Sequence, residues 1–337
     1  MNILLTSPIP EGGVGGPASV AEHLVKECTR LGDSVVIVAP TKKDMKLPPA
    51  LRQAFLCIRL MPFVARADVV LALDSVSTGF PVAVVSTLFR KPIALRIGGD
   101  FLWESFVERT REQVLLSEFY GTRRRLSLHE QILYLMTRIT LSRAKIVIFT
   151  TSWQRTLWTA PYKIPVEKTV LIGNALPSVE HPSSQGNVLL ALGRDTCLKN
   201  ISLLKKVWER IKTEYPDIVL TTGAVNASEY IQALAGCRGV IQPSISEVSP
   251  NTILEAMAYG KPFITTRDTG IYEEYADRGI YIDTRDERAL EDAIRTLLAH
   301  PASPAIGSTM HERSWEEAGQ EFKSVLLRVH KLAHHKV

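Results

Sequence analysis

The stretch "SEVSPNTILEAMAYGKP", Ser246 to Pro262, follows the apolar run "GVIQPS" and carries Glu247, then Ser249-Pro250-Asn251, then Glu255 eight residues after Glu247. Serine before proline reads as a helix N-cap followed by proline at the first helical position, where its missing N–H is no loss. Ile253, Leu254, Met257 and Ala258 recur at helical spacing and predict a stripe packed on a sheet. Glu255 lies off that stripe. The N–H groups at Asn251 and Thr252, together with the positive end of the helix dipole, make an anion site beside two carboxylates. Such a corner suits a ligand that carries both phosphate and hydroxyl groups. The same residues also describe a capped amphipathic helix with an exposed glutamate, so the rest of the chain has to decide.

Working towards the amino terminus, "VLLALGRDTCLKN" is a buried-strand run, a glycine, and then Arg194 and Lys199 in a loop that opens a helix. Arginine supplies a planar pair of donors to phosphate and lysine a point charge. Around this pair of loops, short Val/Ile/Leu runs alternate with stretches of helical periodicity, the pattern of a parallel sheet covered by helices. The pattern occurs twice. Strands are predicted at "NILLTS", "SVVIVA", "VVLAL", "PIALRI", "KIVIFT" and "TVLIG", and again at "VLLALG", "IVLTTG", "GVIQPS", "PFITT" and "IYID". Helices are predicted near 18–31, 76–89, 123–143 and 154–159 in the first series. In the second they fall near 200–212, 228–235, 250–259 and 287–299, with a closing helix near 314–333. "ALPSVEHPSSQGN", residues 175–187, breaks the alternation with two prolines, a glycine and several serines and reads as a linker. The predicted organisation is a first domain over 1–174, a second over 188–310, and a last helix within 311–337. Open α/β sheets bind ligands at the carboxyl ends of their strands, so function is expected on the strand-to-helix loops of a cleft between the domains.

Composition narrows the class. With 45% hydrophobic and 22% charged residues among 337, the chain is globular and long enough for two cores. Its net charge of +5 suits an anionic ligand or surface. The cysteines at 28, 57, 197 and 237 form no C-x-x-C pair, which argues against a zinc site or disulfide framework and fits a reducing cytosol. The start "MNILLTSPIPEGG" lacks the n- and h-regions of a signal peptide, and no apolar run reaches the ~18 residues of a membrane span.

"LGRDTCLKN" followed by "PSISEVSPNTILEAMAYGKPFITT" resembles the retaining glycosyltransferases of family 4, whose fold is GT-B: two Rossmann-like parallel-sheet domains facing a cleft. Glu247 and Glu255 match the family's E-x7-E signature, and Gly193, Arg194 and Lys199 its Gly-Arg…Lys element. The resemblance implies that Glu247 holds the donor sugar, Glu255 the ribose, and Ser249, Pro250, Asn251 and Thr252 the phosphates. It extends over nearly the whole chain. "EGGVGGPASVAEHL" looks like the family's first glycine-rich loop, with Gly15-Gly16 the matching pair and Gly12-Gly13 the alternate. "KPIALRIGGDFLWE" is similar to a GD-x-x-W-E variant of one branch, which would set Asp100 against the acceptor hydroxyl or reacting sugar, with Trp103 and Glu104 on the same wall. Asp100 also suits a helix cap. "SWEEAGQEFKSVL" looks like the closing helix, which in that fold packs back on the first domain. Departures are present: Asn200 stands where the family often has glycine, and the chain offers one βα unit where the family has two before the E-x7-E strand.

The implied activity is retaining transfer of a sugar from a nucleotide-sugar to a hydroxyl of a glycan or lipid-linked acceptor in cell-envelope polysaccharide synthesis. No cofactor, metal or nucleic acid is expected, and a UDP-sugar is the default donor. A sugar-nucleotide epimerase of the same fold, or an inactive binding homologue, are the alternatives. A nicotinamide dehydrogenase is disfavoured, because "GVGGPA" does not come straight off its strand and "VAPTKK" lacks the acidic residue for an adenosine ribose. Finally, Arg123, Arg124 and Arg125 lead into the apolar positions of the 123–143 helix. That pattern raises the expectation of a cytoplasmic protein peripheral to the anionic inner face of a membrane, against simple packing on the first sheet.

Overall fold

A computed structural model describes residues 1–10, 16–175, 186–193, 195–223, 227–299 and 313–334. In chain order the elements begin β1 (Asn2–Thr6), α1 (Gly16–Arg30), β2 (Ser34–Val38), α2 (Pro49–Arg66), β3 (Val69–Ala72), α3 (Gly79–Leu88) and β4 (Ile93–Ile97). Next come α4 (Phe101–Thr110), α5 (Leu116–Phe119), α6 (Leu128–Arg143), β5 (Ile146–Phe149), α7 (Ser152–Tyr162) and β6 (Thr169–Leu171). The second series is β7 (Val188–Leu192), α8 (Ile201–Ile211), β8 (Val219–Gly223), α9 (Ala227–Gly236), β9 (Gly239–Gln242), α10 (Asn251–Ala258), β10 (Phe263–Thr266), α11 (Tyr272–Tyr275), β11 (Ile280–Ile282) and α12 (Glu287–Ala299). The long α13 (Trp315–His334) closes the chain. Two compact units result: unit 1 is Met1–Leu102, Arg125–Ala175 and Arg313–Val337, and unit 2 is Trp103–Arg124 and Leu176–Glu312.

Unit 1 is built on a parallel sheet of order β2-β1-β3-β4-β5-β6. Its inner strands β1, β3, β4 and β5 are mostly apolar and buried on both faces because both are covered, whereas the edge strand β2 leaves Val36 and Ile37 exposed. Ile3 and Leu5 of β1 pack with Val69 and Leu71 of β3 against Leu24 of α1 and Phe322 and Leu326 of α13. The alternate residues Leu4 and Val70 are equally buried on the opposite face, where α2 and α3 lie. Trp315 of α13 stacks on His23 of α1 at 4.2 Å, and Lys323 pairs with Asp33 at 3.2 Å. Gly79 starts α3 so close to the preceding loop that a Cβ there would meet the Asp74 carbonyl oxygen at 2.0 Å.

Unit 2 has the order β11-β10-β9-β7-β8, again parallel. Leu204, Val207 and Ile211 of α8 pack with Leu290, Ile294 and Leu297 of α12 on one face. Leu234, Ile253 and Met257, from α9 and α10, fill the other. Among the described residues, α8, then β8 and α9, separate β7 from β9, so a single further βα unit follows α8.

The structure corrects the sequence reading in several places. Helix α2, like α4 and the short α5 and α11, has no counterpart in the expected series; Pro48, Pro49 and Pro62 obscure the period of α2. The helix expected over 123–143 begins at Leu128, where Ser127 and Glu130 form a capping box. Residues Trp103–Arg124, expected within a continuous first domain, cluster with unit 2. Lastly, α10 starts at Asn251: Pro250 is its cap, with extended ψ of 101° and a carbonyl that accepts from Ile253 and Leu254 N–H. The expected linker falls almost wholly on residues 176–185, outside the described residues.

Candidate functional site

In unit 2 the strand order reverses between β7 and β9, so the loops after these two strands leave the sheet side by side. Lys199 comes from the first loop and Glu247 from the second. Lys199 Nζ donates to Glu247 Oε1 at 2.6 Å, and Gln242 Nε2, at the end of β9, donates to the same oxygen at 2.7 Å. The pair is partly open, with side-chain exposures of 32% for Lys199 and 16% for Glu247. A charge-assisted contact of this kind is strong yet reachable by a ligand.

Backbone bonds fix both loops. Ile245 N–H donates to the Leu198 carbonyl at 2.9 Å, tying one loop to the other. Glu247 N–H donates to the Asp268 carbonyl at 3.0 Å, and Gly270 N–H to the Glu247 carbonyl at 3.1 Å. Asn200, directly after Lys199, adopts φ of 51°, a left-handed conformation that asparagine tolerates. Its side-chain amide donates to the Thr284 carbonyl at 2.7 Å. That conformation accounts physically for asparagine where the resembled family often has glycine. Gly193 lies beside the Lys199 stem, where a Cβ would make ordinary contact at 3.9 Å from Lys199 Cγ.

The Trp103–Arg124 segment lies across the same strand ends. Glu108 accepts from Leu198 N–H at 3.2 Å, and Gln113 Nε2 donates to Asn200 Oδ1 at 3.3 Å. Leu116 N–H donates to Ser246 Oγ at 2.9 Å, and Ser246 in turn donates to the Asp268 carboxylate. Trp103 is buried with its indole N–H on the Val114 carbonyl at 2.8 Å, while Glu104 is half-buried. Arg124 donates to the Phe119 carbonyl and sits over the Phe106 and Phe119 rings, so it is packed within unit 2 instead of extending the basic face of α6.

Ser249, Pro250, Asn251 and Thr252 form the amino-terminal corner of α10. Four residues into the helix, Glu255 is half-buried and accepts from the Tyr230 hydroxyl of α9. Burial pushes the Glu255 carboxyl above its ordinary range, and the Tyr230 bond works against that shift. Burial first, and then the charge of Glu255, raise the Tyr230 phenol. Tyr230 and Gln242 are residues the sequence reading missed; a polar residue ending the "GVIQ" strand was the available signal for Gln242, and no local signal marked Tyr230.

Unit 2 thus brings Lys199 to Glu247, with Gly193 beside the lysine stem, and it also contains Glu255 and the 249–252 corner. Arg194 and Gly15, like the alternate Gly12-Gly13, lie outside the described residues. Gly16 is the first residue of α1, and Asp100, 1% exposed, follows β4 just before α4; both belong to unit 1. Near Asp100 on β4, Arg96 is buried, donates to Asn174 Oδ1 at 2.6 Å, and is pushed down to about 10 by desolvation.

The family model described as "Glycosyl transferases group 1" matches residues 165–300, which span both loops and both glutamates. None of the curated proteins matches the chain. Among solved structures, the sucrose-phosphate synthase from Thermosynechococcus elongatus is similar at a TM-score of 0.62 and 16% identity, over 98% of this chain and 96% of that one. The lipopolysaccharide outer core galactosyltransferase WaaB gives 0.64 at 12%, over 97% and 99%. The UDP-GlcNAc 2-epimerase from Neisseria meningitidis, bound to UDP-GlcNAc, gives 0.64 at 12%, over 97% and 100%. The chain therefore has the GT-B fold, two Rossmann-like parallel-sheet domains, and its residues 165–300 carry a group 1 glycosyl transferase pattern.

Proposed function

We propose that the protein is a retaining glycosyltransferase of family 4, in the branch with a GD-x-x-W-E element. It moves a hexosyl or related sugar from a nucleotide-sugar, UDP-linked by default, to a hydroxyl of a glycan or lipid-linked acceptor. The setting is cell-envelope polysaccharide synthesis in the cytoplasm or at the inner membrane face. One observation carries the reading: Lys199, Glu247 and Gln242 meet at the switch point of unit 2, inside the stretch that matches the group 1 model.

In this reading the Lys199–Glu247 pair is a resting arrangement. A bound diphosphate competes for Lys199, and its departure frees Glu247, still held by Gln242, to accept from hydroxyls of the donor sugar. Arg194, the Gly193 backbone and the 249–252 corner share the phosphate charge, which needs no metal. Glu255 accepts from the ribose once Tyr230 yields. Gly15 and Gly16 are assigned to donor binding, Asp100 to the acceptor hydroxyl or reacting sugar, and Trp103 and Glu104 to the acceptor side. In the transfer step the bond from the anomeric carbon to the phosphate oxygen breaks, and the bond to the acceptor oxygen forms on the same face. The acceptor proton passes to the departing phosphate. Only charge stabilised more in that transition state than in the ground state accelerates it.

The test is a panel of nucleotide-sugars incubated with and without candidate acceptors, following nucleotide release and the anomeric configuration of the product. Lys199→Ala is expected to lose about 10²–10³ in turnover with an unchanged melting temperature; near-wild-type turnover overturns the assignment. The similarity to a UDP-GlcNAc 2-epimerase favours a second reading, epimerisation of a sugar-nucleotide. Conversion of UDP-GlcNAc with no acceptor present selects it.

A further inference from the structure

On one face of the unit 1 sheet, α3 packs against both α2 and α6. Each of these helices turns an apolar stripe outward as well as inward. On α2 the inward residues are Leu56, Leu60 and Val64, while Leu51, Phe55 and Ile58, spaced i, i+4, i+7, are exposed. On α3 the exposed pair is Val84 and Leu88. On α6, Leu128, Ile132 and Leu135 repeat the i, i+4, i+7 spacing. Leu88 and Leu128 are 67% and 74% exposed, and grouped with the other outward apolar residues of three neighbouring helices they are more than scattered single positions. Across the sheet, the outward residues of α1 are Glu22, Lys26, Thr29 and Arg30, an ordinary surface of mixed charge.

Charge on the apolar face has one sign. Helices α2 and α3 contain no Asp or Glu. The single acidic residue of α6, Glu130, is buried and held in the capping box. Asp44, just before α2, is bonded to Arg59 at 2.8 Å. Arg66 of α2, Arg90 after α3 and Arg138 of α6 are exposed. A second copy of this chain fits poorly, because a two-fold interface would set this cationic surface against itself. An anionic bilayer answers both features: apolar side chains enter the headgroup boundary while arginines reach the headgroups. No described helix is long and apolar enough to cross a membrane, so the contact is with its surface.

We propose that the α2–α3–α6 face of unit 1 docks on an anionic phospholipid bilayer. The inference stands on unit 1 and does not require the transfer reading to hold; it also replaces residues 123–125 as the basis of membrane contact.

The full chain is sedimented with vesicles of phosphatidylcholine alone or mixed equally with phosphatidylglycerol, without nucleotide-sugar. Binding is expected to the mixed vesicles only, falling with salt. Phe55→Ser with Ile58→Ser, and separately Leu128→Ser with Leu135→Ser, are each expected to lower it by about tenfold or more. Arg66→Gln with Arg138→Gln is expected to flatten the salt dependence. Helical circular dichroism checks each variant, and Leu88→Ser, on a different helix, provides the reading if an α2 or α6 variant melts early. Failure of the wild type to bind mixed vesicles at low salt, or apolar variants that bind unchanged, overturns the proposal. So does concentration-dependent dimerisation in free solution that the apolar variants abolish, since it assigns the face to a second copy. Nucleotide-sugar binding unchanged in these variants keeps this outcome separate from that of the transfer assay.

Discussion

After β9, Glu247 remains partly exposed and is held by the side chains of Lys199 and Gln242; after β3, Asp74 is buried and accepts from Val76 N–H, Thr78 N–H and Thr78 Oγ1. Both are carboxylates at the carboxyl ends of parallel strands. The first has side-chain partners that a ligand can take over, and the second has mainly backbone partners fixed by the start of α3. Location at a strand end therefore does not make a site: the nature of the partners separates a carboxylate available for binding from one that holds a loop.

The largest expected effect tests the buried side of this comparison. Asp74→Ala strands three donors in a closed environment and is expected to cost about 3 kcal/mol, a fall of roughly 6–12 °C. Lys199→Ala, the corresponding deletion at the open end, is expected to leave melting unchanged, so equal losses of stability in the two variants would break the comparison. Arg96 gives an intermediate case, a buried guanidinium bonded to the amide of Asn174, whose desolvation offers no gain in stability. Arg96→Met is expected to raise the melting temperature by roughly 2–4 °C, for about 1 kcal/mol; a fall would place Arg96 with Asp74 as a structural group.

The smallest effect is pH-dependent. Burial raises the Glu255 carboxyl in the folded state, so its contribution to stability is fully present below the unfolded value and is lost as pH rises through the folded one. Glu255→Gln, neutral throughout, is expected to melt higher than wild type at about pH 7 and to lose that advantage by about pH 4. A difference in melting temperature that stays flat over this range means that the carboxylate carries no such penalty.

Much of this was legible because short β-branched runs bounded by glycine, proline and polar residues have one use in an α/β chain. The expected strand runs each contain a strand of the structure, and the helix expected near 287–299 is α12. Glu247 and Lys199 were singled out by their motif, and the structure pairs them. What failed did so for physical reasons. Helix α2 escaped because, besides its prolines, its outward leucine, phenylalanine and isoleucine blur the two-sided pattern on which periodicity depends. The start of α6 was misplaced although "SLHE", the capping-box signature, was present at Ser127 to Glu130. Tyr230 was missed because its hydroxyl acts on a helix 25 residues away in the chain.

By itself the sequence determined which segments are strands, that the sheets are parallel and two in number, and which loop residues carry charge, since these follow from local patterns of burial and from turn chemistry. The tertiary structure decided what each charge meets. Nothing local in "LKN" or "SEVSP" requires Lys199 to pair with Glu247; the reversal of strand order between β7 and β9 does. Nor does the chain order announce that Trp103–Arg124, strung between two strands of unit 1, bonds to the strand ends of unit 2. Such pairings depend on which surfaces are left to satisfy buried donors and acceptors once the sheets have formed, and that is a property of the packed chain.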